Sequence, residues 1–164
     1  MLVLGIDPGL AILGYGLVEK SCNTLRPLDY GTITTPASMD MSQRLVRIYD
    51  GIHELVDMFS PDAIAIEELF FNKNVKTAIA VGQARGVAIV AGAKYNIPIY
   101  EYTPLQIKQA VVGYGRAEKE QVQYMTRLLL GLKEIPRPDD AADALAISIC
   151  HLNHIDMFKK IQYR

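Results

Sequence analysis

Cysteine is scarce in these 164 residues: Cys22 and Cys150 stand far apart. They form no C-x-x-C pair and no other metal-ligand spacing. Two buried thiols in a reducing compartment are the expectation. The chain has only 3 histidines. No His/Cys set for zinc emerges, and no serine stands in a Ser-His-Asp motif. An excess of one charge is also missing. The 17 Lys+Arg meet 18 Asp+Glu, for a net charge of -1. That balance excludes a protein that coats DNA by bulk positive charge, but not one with a local basic face. The longest apolar stretch, around Gly86 to Ala93, is too short to cross a bilayer. Met1 to Asp7 has no basic leader and breaks at Asp7-Pro8-Gly9, so neither a signal peptide nor a membrane anchor is expected. A cytoplasmic protein is the expectation. What is present is a composition 50% hydrophobic and 21% charged, with no repeat, low-complexity tract or linker. One globular domain over residues 1–164 follows.

Apolar patterning sets the order of elements. Leu2 to Ile6 is a compact run stopped by Asp-Pro-Gly, which predicts a buried strand and a tight turn. Gly14 to Glu19 and Tyr30 to Thr35 predict two more strands, the first pairing antiparallel with the run before it. Met41, Leu45, Ile48, Ile52, Leu55, Val56 and Phe59 fall at helical spacing, and Ser60-Pro61 ends that helix. Ala63 to Ile66 reads as a buried parallel strand ending on Glu67-Glu68. Val75 to Lys94 is rich in Ala, Gly and Val, which predicts a helix buried on most faces. Ile97 to Tyr102 predicts a fifth strand. Thr103 then caps a helix with Pro104 at its first position. Helices over Ala117 to Leu130 and from Asp140 complete the order. The expectation is an α/β fold: a mixed five-stranded sheet with helices on both faces.

The acids carry the chemistry. Asp7 ends the first strand and Glu67 the fourth, and functional groups collect outside the carboxyl ends of strands. Asp140 and Asp143 share one face at the start of the last helix. Asp7 alone is explained as a turn residue, and Asp139 as the acid expected at a helix start. Glu67 closes a wholly apolar strand, and small apolar residues surround Asp143. Docked at one sheet end, the four carboxylates would each raise the next one's pKa and call for a counter-charge. Hard divalent cations such as Mg²⁺ take oxygen ligands of this kind, and two of them suit a phosphodiester displacement.

Several motifs occur in order. They are Gly5-Ile-Asp-Pro-Gly9, Gly14-Tyr-Gly16, Ala65-Ile-Glu67, Gly82-Gln-Ala-Arg-Gly86, Lys108-Gln-Ala-Val-Val-Gly113, Ala117-Glu-Lys119 and Asp140-Ala-Ala-Asp-Ala-Leu-Ala146. Together they resemble the RuvC family of bacterial Holliday junction endonucleases over nearly the whole chain. The resemblance implies an RNase H-like fold, a homodimer, and Mg²⁺-dependent cutting of two opposed strands of four-way junction DNA. It implies two Mg²⁺ per subunit on Asp7, Glu67, Asp140 and Asp143, with Mn²⁺ as a substitute. It puts Phe70 at the place of an aromatic wedge and Lys108 and Lys119 near the scissile phosphate. It also implies association with the branch-migration motor of the family, RuvA and RuvB. Arg116 departs from the pattern: relatives often carry a small helix-capping residue there, and the arginine adds a potential phosphate contact.

Charge is distributed unevenly. Residues 71–127 hold eight Lys and Arg (among them Lys73, Lys76, Arg85, Lys108, Arg116 and Lys119) against three Glu. The rest of the chain is acidic, which places the expected DNA face on this middle segment. The small-residue helix from Val75 is the expected contact between subunits. Three rival readings remain: an actin-like phosphotransferase, for which the chain is short, a junction-binding protein without catalysis, and an RNase H-like nuclease acting on RNA.

Overall fold

A computed structural model describes residues 1–69 and 75–162, the side chains of 75, 76 and 156–162 excepted. The elements are β1 (Leu2–Asp7), β2 (Ile12–Ser21), β3 (Thr24–Thr34), α1 (Met41–Phe59), β4 (Ala63–Glu67), α2 (Val75–Ala93), β5 (Ile99–Tyr102), α3 (Pro104–Val112), α4 (Lys119–Leu129) and α5 (Asp139–Gln162). The sheet order is β3-β2-β1-β4-β5. β1 pairs antiparallel with β2 and parallel with β4, and β4 is parallel to β5. The mixed five-stranded sheet is therefore as expected.

The sheet divides the core in two. On one side Leu4, Ile6, Leu13, Ile64 and Ile66 pack against Ile48 and Ile52 of α1 and Ala84 and Ala88 of α2. On the other, Val3, Ala63 and Ala65 pack against α3, α4 and α5 through Ile107, Val122 and Leu145. Alternate residues of a strand face opposite sides, so β1 and β4 supply both cores.

Four expectations need correction. β3 is longer than Tyr30 to Thr35 and contains Pro27; the proline is accommodated on an edge strand, opposite the register shift at Leu17/Val18. Cys22 is exposed at the turn between β2 and β3, whereas Cys150 is buried. α4 begins at Lys119 because Gln121 turns back to accept from the Glu118 N–H. α2 is not buried on most faces. Ala84, Ala88 and Ala91 are fully covered, but Ile79 and Val90 are 58% and 59% exposed. Small residues let that helix lie close to α1 without enclosing its outer face. Thr103 does cap α3 as expected, accepting from the Gln106 N–H at 3.2 Å.

Candidate active site

Strand alternation decides where the first two acids point. Val3 and Gly5 of β1, and Ala63 and Ala65 of β4, face α5. Asp7 and Glu67 continue those two series, so both carboxylates emerge on the α5 side. Ile6 and Ile66 are register partners, which makes Asp7 and Glu67 the next residues of adjacent parallel strands. Neighbouring strands lie about 4.8 Å apart.

Glycine brings the other two acids to the same end. Asp7 is the register partner of Gly14 on β2. A Cβ at Gly14 would overlap the Asp140 carbonyl, and one at Gly5 would overlap that of Ala144. The bare backbone lets the first turns of α5 rest on the sheet itself, with Asp140 and Asp143 beside Asp7. Ser148 anchors the helix further along, donating to the Gly16 carbonyl at 2.8 Å.

The acids act on one another. Burial, then Glu67, Asp143 and Asp140, push the Asp7 carboxyl up to about 8, with Lys119 opposing. Burial and Asp143 push Glu67 up to about 6, against the pull of Lys119 and Lys108. Burial also raises Asp143, although Lys119 bonds to it and pulls the other way. The Lys119 Nζ stands 2.9 Å from Asp143 Oδ2. A pocket of about 260 Å³ holds Glu67, Asp143, Lys108 and Lys119 over an apolar floor of Ile107, Val122 and Ile147. Asp140 borders a second cleft with Gly9 and Arg44. Among the described residues no three Asp, Glu, His or Cys side chains make a ready metal cage. The donor set is nonetheless all carboxylate and half-buried, with Asp7, Glu67 and Asp143 acting on one another, which is the chemistry a hard divalent cation neutralises.

The structure brings together Asp7, Glu67, Asp140, Asp143, Lys108 and Lys119. Arg85 has partners within the chain. Its guanidinium pairs with Glu101, and Nε donates to the Glu67 carbonyl at 3.2 Å. That bond fixes the end of β4. Arg116 is exposed on the loop before α4. Phe70 and Lys73 lie outside the described residues, as does the Lys76 side chain.

Two contributions escape sequence reasoning. Asp139, expected only to serve its helix, lies 3.5 Å from Lys119 Nζ. The signal was available, since Asp139 and Asp143 are one helical turn apart. Tyr102, register partner of Glu67, has its hydroxyl bonded to Nδ1 of fully buried His151 at 2.7 Å. That buried pair holds the end of β5 beside the site. Nothing in the local sequence signals it.

Against this geometry, the family model described as crossover junction endodeoxyribonuclease RuvC matches residues 3–151. The chain belongs to the RuvC family. The RuvC of Desulfitobacterium hafniense is 56% identical over 161 residues, covering 98% of each chain. The solved structure of Thermus thermophilus RuvC in complex with Holliday junction substrate superposes with a TM-score of 0.91 at 42% identity, covering 96% of both chains. The yeast mitochondrial Holliday junction resolvase superposes at 0.69 with 15% identity, covering 96% of this chain and 80% of that one, a likeness of fold. The fold of this RuvC-family chain is RNase H-like, as the motifs implied.

Proposed function

We propose that this chain is a structure-selective DNA endonuclease that resolves four-way junctions by paired symmetric nicks, in recombination and repair. The observation that carries the reading is the RuvC family match over residues 3–151, supported by Asp7 and Glu67 following register partners on adjacent parallel strands and by Asp140 packed on Gly14. Asp7, Glu67, Asp140 and Asp143 would hold two Mg²⁺ per subunit, with Mn²⁺ as a substitute. When bound, such ions supply activation of the attacking water and stabilisation of the leaving 3′ oxygen. Cutting leaves a 5′ phosphate and a 3′ hydroxyl.

The side chains do the rest. Lys119 meets the charge that develops on the scissile phosphate, and Lys108 holds the backbone in register. The pocket wall of Ile107, Val122 and Ile147 keeps water away from one side of the acids and strengthens their interactions. Phe70 is the proposed wedge at the crossover, with Lys73, Lys76 and Arg116 on phosphates. Arg85 acts from behind, by fixing the strand that carries Glu67.

Two symmetric cuts call for two sites related by a two-fold axis. The outer face of α2, with Ile79 and Val90 exposed, supports a homodimer built on that helix. No helix among the described residues is long and apolar enough to cross a membrane. A cytoplasmic enzyme working with the branch-migration motor RuvA and RuvB is the corresponding cellular reading.

The test is incubation of the purified chain with a labelled four-way junction, with and without Mg²⁺. Paired nicks at symmetric positions are expected. Nicks that persist in EDTA contradict the metal reading. Tight junction binding without cleavage in Mg²⁺ or Mn²⁺ makes the chain a binding protein instead.

A further inference from the structure

Lys119 has two carboxylate partners. Its Nζ is 2.9 Å from Asp143 Oδ2 and 3.5 Å from Asp139 Oδ2. The two acids lie one turn apart on α5 and so present the same face to the start of α4. Asp139 is itself held in place: the Arg137 guanidinium donates to its Oδ1. Asp139 is therefore an oriented anion beside the site.

Asp143 has two claims on it. It pairs with Lys119 in this structure, and on the functional reading above it also holds a divalent cation. A dication placed on Asp143 repels the ammonium that sits 2.9 Å from its Oδ2. The lysine stem is long and flexible, and the side chain is 51% exposed. Left without a second partner, it would swing into solvent, away from the phosphate it is meant to meet. Asp139 is the other carboxylate within ion-pair reach of it among the described residues.

We propose that Asp139 is a positioning residue for Lys119, receiving the ammonium when Asp143 turns to the cation and so keeping it at the mouth of the site. The inference rests on the reading of Asp143 as a cation ligand. A residue that only serves its helix would act without regard to Lys119. A positioning residue acts through it.

The experiment is a double-mutant cycle on the full chain: unaltered, Asp139→Asn, Lys119→Met and both together. The first readout is Mn²⁺ binding to the DNA-free protein by calorimetry. Asp139→Asn deprives Lys119 of its alternative partner, so Mn²⁺ must compete harder for Asp143. Binding weakens roughly tenfold with Lys119 present. In the Lys119→Met background the same change moves it by less than about twofold. The second readout is single-turnover cleavage. Asp139→Asn lowers the rate at saturating junction roughly tenfold while the metal-free junction Kd holds. It adds nothing further to Lys119→Met, and Asp139→Glu restores the rate. Equal effects of Asp139→Asn in both backgrounds, or no effect in either, overturn the proposal. Thermal melting of each variant separates these results from a loss of fold. Asp143→Asn tells the two layers apart. If it binds Mn²⁺ like the unaltered chain, the cation-site reading falls and takes this inference with it. If it loses Mn²⁺ while the cycle shows no coupling, only the inference falls.

Discussion

At the scale of single residues, Asp7 is the most constrained acid. It is the most deeply enclosed of the set, and three other carboxylates press on it. Asp7→Asn keeps the shape and removes the charge. Cleavage should fall on the order of a hundred- to thousandfold, with junction binding in EDTA intact. The same change should stabilise the metal-free protein above about pH 8, because it deletes an ionised group from a buried place. Each pKa unit corresponds to about 1.4 kcal/mol, so chemical denaturation should register a gain on the order of a few kcal/mol. No gain would mean that the Asp7 carboxylate is well solvated. Asp7 and Glu67 were legible because each closes an apolar run, Asp143 because it interrupts one, and Asp140 because it shares a helix face with Asp143. Their grouping needed the alternation of β1 and β4, which the same runs imply. Arg85 and Asp139 were less legible. A charged side chain on a helix looks alike whether it faces phosphate or an internal partner, and only the packed structure shows Glu101 beside one and Lys119 beside the other.

At the scale of elements, α5 docks on the sheet through absent side chains. Gly14 is the sharpest instance, because the groups nearest to it are the carbonyl and Cβ of Asp140. Gly14→Ala should push the start of α5 away from Asp7. Overpacking of this kind costs about 1–3 kcal/mol, readable in a urea melt. Cleavage should fall further than that loss of stability explains, and junction binding much less. Equal losses of binding and cleavage would show that the glycine serves only the fold. The order of elements was legible almost throughout, because α1, β4 and α3 carry both periodicity and stop signals. β3 was legible only over its second half, from Tyr30: Pro27 and the bulge opposite it hide the first half, which the edge position tolerates. The exposed half of α2 was hidden for another reason, since Ala, Gly and Val look alike under a neighbouring helix or under a second subunit. Val90→Glu tests the second possibility. It should shift sedimentation toward a monomer and turn paired nicks into single ones, leaving the isolated fold within about 0.5 kcal/mol of its stability.

At the scale of the whole molecule, the raised carboxyls make stability depend on pH in an unusual direction. Asp7 rises from 3.8 to about 8 and Glu67 from 4.5 to about 6. Between those limits the folded chain binds more protons than the unfolded one. Stability contributed by these groups is therefore present at low pH and lost as pH climbs through the folded values. Tm of the metal-free protein should fall from about pH 5 to about pH 8.5, and Asp7→Asn should flatten the fall. Added Mg²⁺ favours the ionised acids, so its increment in Tm should grow across the same range. A metal-free Tm that climbs over this interval, with an increment from Mg²⁺ that shrinks, would contradict the coupled cluster.

The acids at one sheet end come from positions 7, 67, 140 and 143. During synthesis the first of them leaves the ribosome long before the last two exist. A chain arrested between β5 and α5 has all five strands but only two of the four carboxylates. On the proposed four-carboxylate site, premature termination or proteolytic loss of that helix therefore leaves inert fragments rather than an unselective nuclease.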